Sequence, residues 1–185
     1  MARSRQAKKK SLLQILTLVV AAVIVVVAVV VAQNWWKNRP GPEPKDVSIS
    51  ASSGDNSVDI SPYQVCAAGT PCEEGEIPSL EVPADGDLTL EIPRSIYDHD
   101  WSIVTIYDDP AANDQSNYGA NEKTSVTLHG SVDPLTEGGE RPRLVVVEVS
   151  AMMIGHDENG EEAPYHVVWS LNARGAGAEG QQKSN

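Results

Sequence analysis

The 185-residue sequence predicts an all-β, immunoglobulin-like β-sandwich standing outside the cytoplasm, preceded by a single transmembrane helix. Three observations predict it. One long uncharged apolar run lies near the N-terminus. After residue 46, short runs of Val, Ile and Leu recur with period two, bounded by Gly, Pro, Asp and Asn. Beyond the first run, no segment has helical periodicity longer than a turn or two.

Residues 1–11 form a basic N-terminus with Arg3, Arg5, Lys8, Lys9 and Lys10, expected in the cytoplasm. Residues 12–32, LLQILTLVVAAVIVVVAVVVA, carry no charge, and as a helix they rise roughly 30 Å, the thickness of a bilayer core. Valine favours strand in water, but in lipid the backbone must satisfy its own hydrogen bonds, which selects helix. Trp35 and Trp36 follow where an interfacial aromatic belt is expected. Five basic residues precede the run and three (Lys37, Arg39, Lys45) follow it, so the positive-inside rule places residues 33–185 outside the cell membrane. The rival reading is a cleaved signal peptide, whose apolar region normally covers only about 7–15 residues. The bilayer, through residues 12–32, is thus the first expected partner.

Charge separates the two parts. Residues 1–45 hold eight Lys or Arg and one acid, a net of +7, and residues 46–185 hold six against 25, a net of −19. The outer part repels phosphate, which excludes nucleic acid as a partner. Residues 33–45 read as a Trp- and Pro-rich spacer, in which RPGPEPK forms a semi-rigid extended stem.

Residues 46–173 carry the sandwich. Expected strands are DVSIS, SVDI, SLEV, DLTLEIP, WSIVTIY, KTSVTLHG, RLVVVEV and YHVVWSL, about eight in some 128 residues. WSIVTIY is apolar on both faces and reads as a central strand, with Trp101 and Trp169 as core anchors. The tail, 174–185, has no hydrophobic residue beyond Ala and is expected to be disordered.

Cys66 and Cys72 are the two cysteines, enclosing AAGTP. A redox pair would read C-x-x-C, and a structural zinc site needs four ligands, usually with a second close pair. Outside the cytoplasm thiols oxidise, so a disulfide is expected. In the chain-entropy model it contributes about 2.4 kcal/mol, securing one local turn.

The remaining motifs point to no cofactor, metal or catalytic residue. GAGAEG at 175–180 matches G-x-G-x-x-G but lacks the strand and helix that hold a dinucleotide. HDENGEE at 156–162 gathers acids beside a histidine, yet Asn159-Gly160 between two strand-like runs signals a hairpin turn. DHD at 98–100 and the stretch 108–122, read as a long acidic surface loop, offer oxygen ligands for calcium without the 1, 3, 5 spacing. His99, His129, His156 and His166 are scattered with nothing paired nearby, and neither G-x-S-x-G nor H-E-x-x-H occurs.

The blocks PYQVC…C, VPADGDLTLEIP, Trp101 before an apolar strand, and the closing VVWSL resemble the actinobacterial domain-of-unknown-function family 2771 over roughly residues 46–173. The resemblance implies an anchored, envelope-exposed protein with no assigned activity, and it carries over no catalytic residues. The chain differs from lipid-anchored members in lacking a membrane-proximal cysteine. Location and the lack of a catalytic motif together give the expectation of a non-catalytic binding or scaffolding module acting on an envelope protein or glycan. The alternatives are an unrecognised envelope hydrolase or transferase, or a calcium-dependent module.

Overall fold

A computed structural model describes residues 18–34, 41–67, 72–157 and 159–175. The chain divides into two units, 1–41 and 42–185.

In the first unit, residues 18–34 form a helix, α1, whose side chains are exposed throughout. Among the described residues no helix is long and apolar enough to cross a membrane. At 1.5 Å per residue the described turns of α1 rise about 25 Å, short of the roughly 30 Å of a bilayer core. Residues 12–17 of the expected span, and Trp35 and Trp36, lie outside the described residues.

The second unit is built from two antiparallel sheets around one core. The strands are β1 (Ile49–Ser53), β2 (Asn56–Ile60), β3 (Gln64–Ala67), β4 (Glu73–Glu74), β5 (Asp87–Glu91), β6 (Trp101–Tyr107), β7 (Asp114–Tyr118), β8 (Ser125–His129), β9 (Leu144–His156) and β10 (Glu162–Asn172). A single-turn helix, α2 (Arg94–Tyr97), precedes β6. One sheet has the order β2-β1-β5-β8, the other β4-β3-β10-β9-β6-β7. The chain alternates between them: β5 lies in the first, β6 and β7 in the second, β8 returns beside β5, and β9 and β10 close the second.

Period two works as expected in the aliphatic strands. In β6, Trp101, Ile103, Thr105 and Tyr107 are buried while Ser102, Val104 and Ile106 face outward and are half-buried. Leu88 and Leu90 of β5 are fully buried in the same core as Val149, Val167 and Trp169 of the other sheet. Trp169 is 1 % exposed, and its Nε1 donates to the Val47 carbonyl at 2.8 Å, so the core's largest ring is also hydrogen-bonded.

Several expectations change. The Pro-rich stem does not run free to residue 45. Glu43 is extended (φ −59°, ψ 145°), but Pro44 is buried, and a 3₁₀ turn over Pro44–Asp46 leads directly into the domain. Gly155 of β9 makes room for it, since a Cβ there would lie 2.7 Å from Pro44 Cδ. SLEV is not a ladder strand: Ser79 makes one parallel bridge to Asn172, and Leu80 and Val82 hydrogen-bond to Asn172 and Ala173 while burying their side chains. The stretch 108–122 is not simply a loop. It holds a 3₁₀ turn over Pro110–Ala112, with Asp109 accepting from the Ala111 N–H, and then the edge strand β7. Arg174, the first residue of the expected tail, is held by Asp108 at 2.8 Å; residues 176–185 lie outside the described residues.

Candidate functional site

β9 and β10 form the longest hairpin, paired from Glu162↔His156 to Asn172↔Val146. Asp157 organises its turn by accepting from the Asn159 and Glu161 N–H groups, and Gly160 takes the positive φ of 77° that the turn requires. The Glu161 hydrogen bond lowers the Asp157 pKa, aided by Asn159. The expected hairpin at HDENGEE is therefore present. Its arms run past the start of β6 and the end of β7, and this step at the sheet's end creates a trough.

The trough has a volume of about 460 Å³, within the range of small-ligand sites, roughly 300–1,000 Å³. Register explains its lining. Ser102 of β6 lies between Asn117 of β7 and Ser150 of β9 on the outer face. Further along, Met152 of β9 stands beside His166 of β10, and His166 beside Cys66 of β3. The Ser102 and Ser150 hydroxyls bond one another at 2.8 Å. Asp100 Oδ1 accepts from the Ala120 N–H at 3.1 Å, while its Oδ2, the Asn117 amide and the His166 ring make no hydrogen bond within the described residues. Beneath them Trp101 packs on Tyr118, ring centroids 4.5 Å apart, and Lys123 Nζ lies 5.3 Å from the Tyr118 centroid.

Trp101 is 3 % exposed, yet its Nε1 has no acceptor among the described residues. Such an orphan costs about 1–3 kcal/mol and calls for an explanation. The other buried side-chain atom without a hydrogen bond, Asp98 Oδ1, has the His99 ring nitrogen at 2.6 Å as an ionic neighbour.

The sequence singled out Trp101 as core, Asp100 as a calcium candidate and His166 as isolated; the fold brings all three to one trough. Ser102, Asn117, Ser150 and Met152 gave no signal, because their convergence depends on strand register. Three of the histidines are not unpaired. His99 meets Asp98, His129 meets Asp87 at 2.7 Å, and His156 meets Glu43 at 2.7 Å. The last pair clasps the stem to the hairpin tip, and the His156 N–H also donates to Glu43 Oε2 at 3.2 Å. The shared hydrogen bond raises the His156 pKa and lowers that of Glu43. Cys66 and Cys72 form the disulfide, with Cα atoms 4.8 Å apart, tying β3 to the start of β4.

Among the described residues no group of three or more His, Cys, Asp or Glu could hold a metal ion. Several calcium candidates are already engaged: Asp98 by His99, Asp100 through Oδ1 by the Ala120 N–H, Asp108 by Arg174 and the Arg143 N–H, Asp109 by the Ala111 N–H. Elsewhere, Tyr107 lines a smaller cleft of about 210 Å³ between β7 and β8, and burial, then Asp114, raises its pKa.

The family described as "Protein of unknown function (DUF2771)" matches residues 42–174, and the chain belongs to it. The match begins where the second unit does, at Pro42, and covers the sandwich with its docked stem. An uncharacterized protein of Mycobacterium bovis and its counterpart in Mycobacterium tuberculosis are each 28% identical over 139 residues, covering 71% of this chain and 80% of theirs. No solved structure matches the chain.

Proposed function

We propose that the chain is a single-pass membrane protein of the cell envelope whose outward domain, an immunoglobulin-like sandwich, binds an envelope protein or glycan without chemistry of its own. Anchoring is supported by the uncharged run 12–32, its basic flank and the helix over 18–34. The immunoglobulin-like reading is supported by strand order. With β5, β6, β7, β8, β9 and β10 as B, C, C′, E, F and G, B and E share one sheet, and C′, C, F and G the other.

The observation that carries the binding reading is the trough. It gathers uncommitted polar groups over two stacked rings, while its serines bond each other and neither is joined to His166. An activated nucleophile needs a base in hydrogen-bond reach. The test is complementation of a deletion strain by full-length variants. Ser102→Ala, Ser150→Ala and His166→Ala, made singly, should weaken function in a graded way. Ser150→Trp, which fills the trough, should abolish it with the domain folded at the membrane. A single Ala variant that abolishes function while still holding its partner would establish an enzyme instead. In wall-stripped cells, a tag after Asn185 should be open to added protease and one before Met1 protected; the reverse would overturn the orientation.

A further inference from the structure

We infer that the trough at the Trp101 end of the six-stranded sheet binds an uncharged saccharide. The inference rests on the binding reading above and names the ligand's chemical class. Donors and acceptors are mixed there. Asp100 Oδ2 accepts, the Asn117 amide and the His166 ring each do both, and the two serine hydroxyls can reorient. A row of sugar hydroxyls, each donor and acceptor at once, matches that mixture.

Charge removes the competitors. Residues 46–185 carry a net −19, so an anion is repelled. A polycation would find one lining carboxylate, Asp100, half-engaged by Ala120. An exposed apolar side chain suits a sugar ring's C–H face: Met152, on the trough's outer side, is 52 % exposed. Direction discriminates against a peptide. An added strand would pair along the free edge of β7, whereas the trough crosses β7, β6, β9 and β10. Trp101, whose Nε1 is buried on the core-facing side of β6, adjoins the trough through its backbone and so serves as a reporter for it.

The experiment uses the full chain in micelles of a sugar-free amine-oxide detergent, with tryptophan indoles labelled with nitrogen-15. Trp101→Phe identifies the Trp101 signal, and the Trp169 signal, hydrogen-bonded to Val47, reports an intact fold. The probes are maltotriose, mannotriose and the N-acetylglucosamine trimer, each to about 10 mM, which detects Kd values down to the weak end of specific binding. At least one should move the Trp101 signal saturably and leave Trp169 in place. Asn117→Ala or His166→Ala should weaken that Kd about tenfold. A mixed tetrapeptide library is the contrasting probe. If peptides move the signal and saccharides do not, the saccharide assignment falls and the binding module stands. If neither moves it while Trp169 stays in place, the saccharide assignment falls; if Ser150→Trp also still complements, the binding reading falls with it.

Discussion

On the outer face of the four-stranded sheet, polar side chains satisfy one another across strands: Ser50 with Asp59 at 3.0 Å, Thr89 with Thr127 at 3.4 Å, His129 with Asp87 at 2.7 Å. On the outer face of the six-stranded sheet, Ser102 and Ser150 pair likewise, but Asn117 and His166 beside them do not, and Met152 and Ile154 stand exposed. Both sheets bury the same alternation of Val, Ile and Leu. The six-stranded face also pairs Ser170 with Glu148, and the four-stranded face also has open side chains at Ser52, Glu91 and Ser125, so their difference lies in where the open groups stand. Open groups scattered over a flat face offer a partner little; open groups gathered at a step in the sheet offer a site. The six-stranded sheet also carries the attached parts, β3–β4 through the disulfide and the stem through Glu43.

The largest expected effect tests whether the two faces share one support. Trp169→Ala removes a fully buried ring and leaves the Val47 carbonyl without its donor. It should cost about 3–5 kcal/mol in chemical denaturation, with both sheets losing amide protection together. Protection surviving in β1 and β5 after β6, β9 and β10 had lost it would make the sheets separate units and dissolve the comparison.

Next comes the disulfide. Replacing Cys66 and Cys72 by Ala should cost about 2.4 kcal/mol or less without unfolding the domain. Faster amide exchange should be confined to β3, β4 and the paired part of β10 (Tyr165–Val168). Alkylation of the native protein without reductant should add no mass; two labels per chain would contradict the bond. Smaller still is Thr89→Val with Thr127→Val, a closed pair on the four-stranded sheet. It should change stability by less than about 1 kcal/mol and leave the trough's indole signals unmoved. A shift of the Trp101 signal in that variant would show that the two outer faces are coupled.

The sequence was legible wherever aliphatic alternation carried the information. β6 falls on WSIVTIY itself, β5 and β8 inside their predicted runs, and Trp101 and Trp169 in the core. It was illegible where pairing replaces hydrophobicity. β7 reads DQSNY, an edge strand with exposed or half-buried residues, ordered by the ladder of β6 rather than by its own composition. β3 is half-buried throughout and β4 is two residues long, so neither shows a period. The stem follows the same logic. Its alternate prolines, Pro40, Pro42 and Pro44, predict an extended chain, and Glu43 does adopt that conformation. What composition could not supply was the partner, His156, 113 positions away. The trough is a third case: Ser102 and Ser150 are 48 residues apart, and only register makes them neighbours.

The smallest expected effect concerns the stem clasp, a place on the six-stranded side where an exposed ion pair has been closed. Glu43 Oε1 meets His156 Nδ1 at 2.7 Å, and both side chains are more than a third exposed, so the clasp governs position rather than global stability. The hydrogen bond to Glu43 is the largest cause of the raised His156 pKa; the charges of Glu43, Glu162 and Asp157 add to it, and desolvation opposes it. The hydrogen bonds to His156 are the largest causes of the lowered Glu43 pKa, with Lys45 adding to them. His156 therefore contributes fully below its unfolded value of about 6.5, and that contribution is lost as pH rises through the raised folded value. Glu43 contributes fully above about 4.3, and its contribution is lost as pH falls through the depressed folded value. Between those limits the clasp is closed; above the window it opens through His156, below it through Glu43. An NMR titration should place the His156 ring midpoint above the ordinary histidine value. Glu43→Gln should return it toward about 6.5, and Glu162→Gln should lower it by less. Exchange of the His156 amide, which donates to Glu43, should quicken at alkaline pH in the native chain and at every pH in Glu43→Gln. A His156 midpoint that ignores Glu43→Gln would mean the stem is not clasped, and the six-stranded sheet would then have one more open group on its outer side.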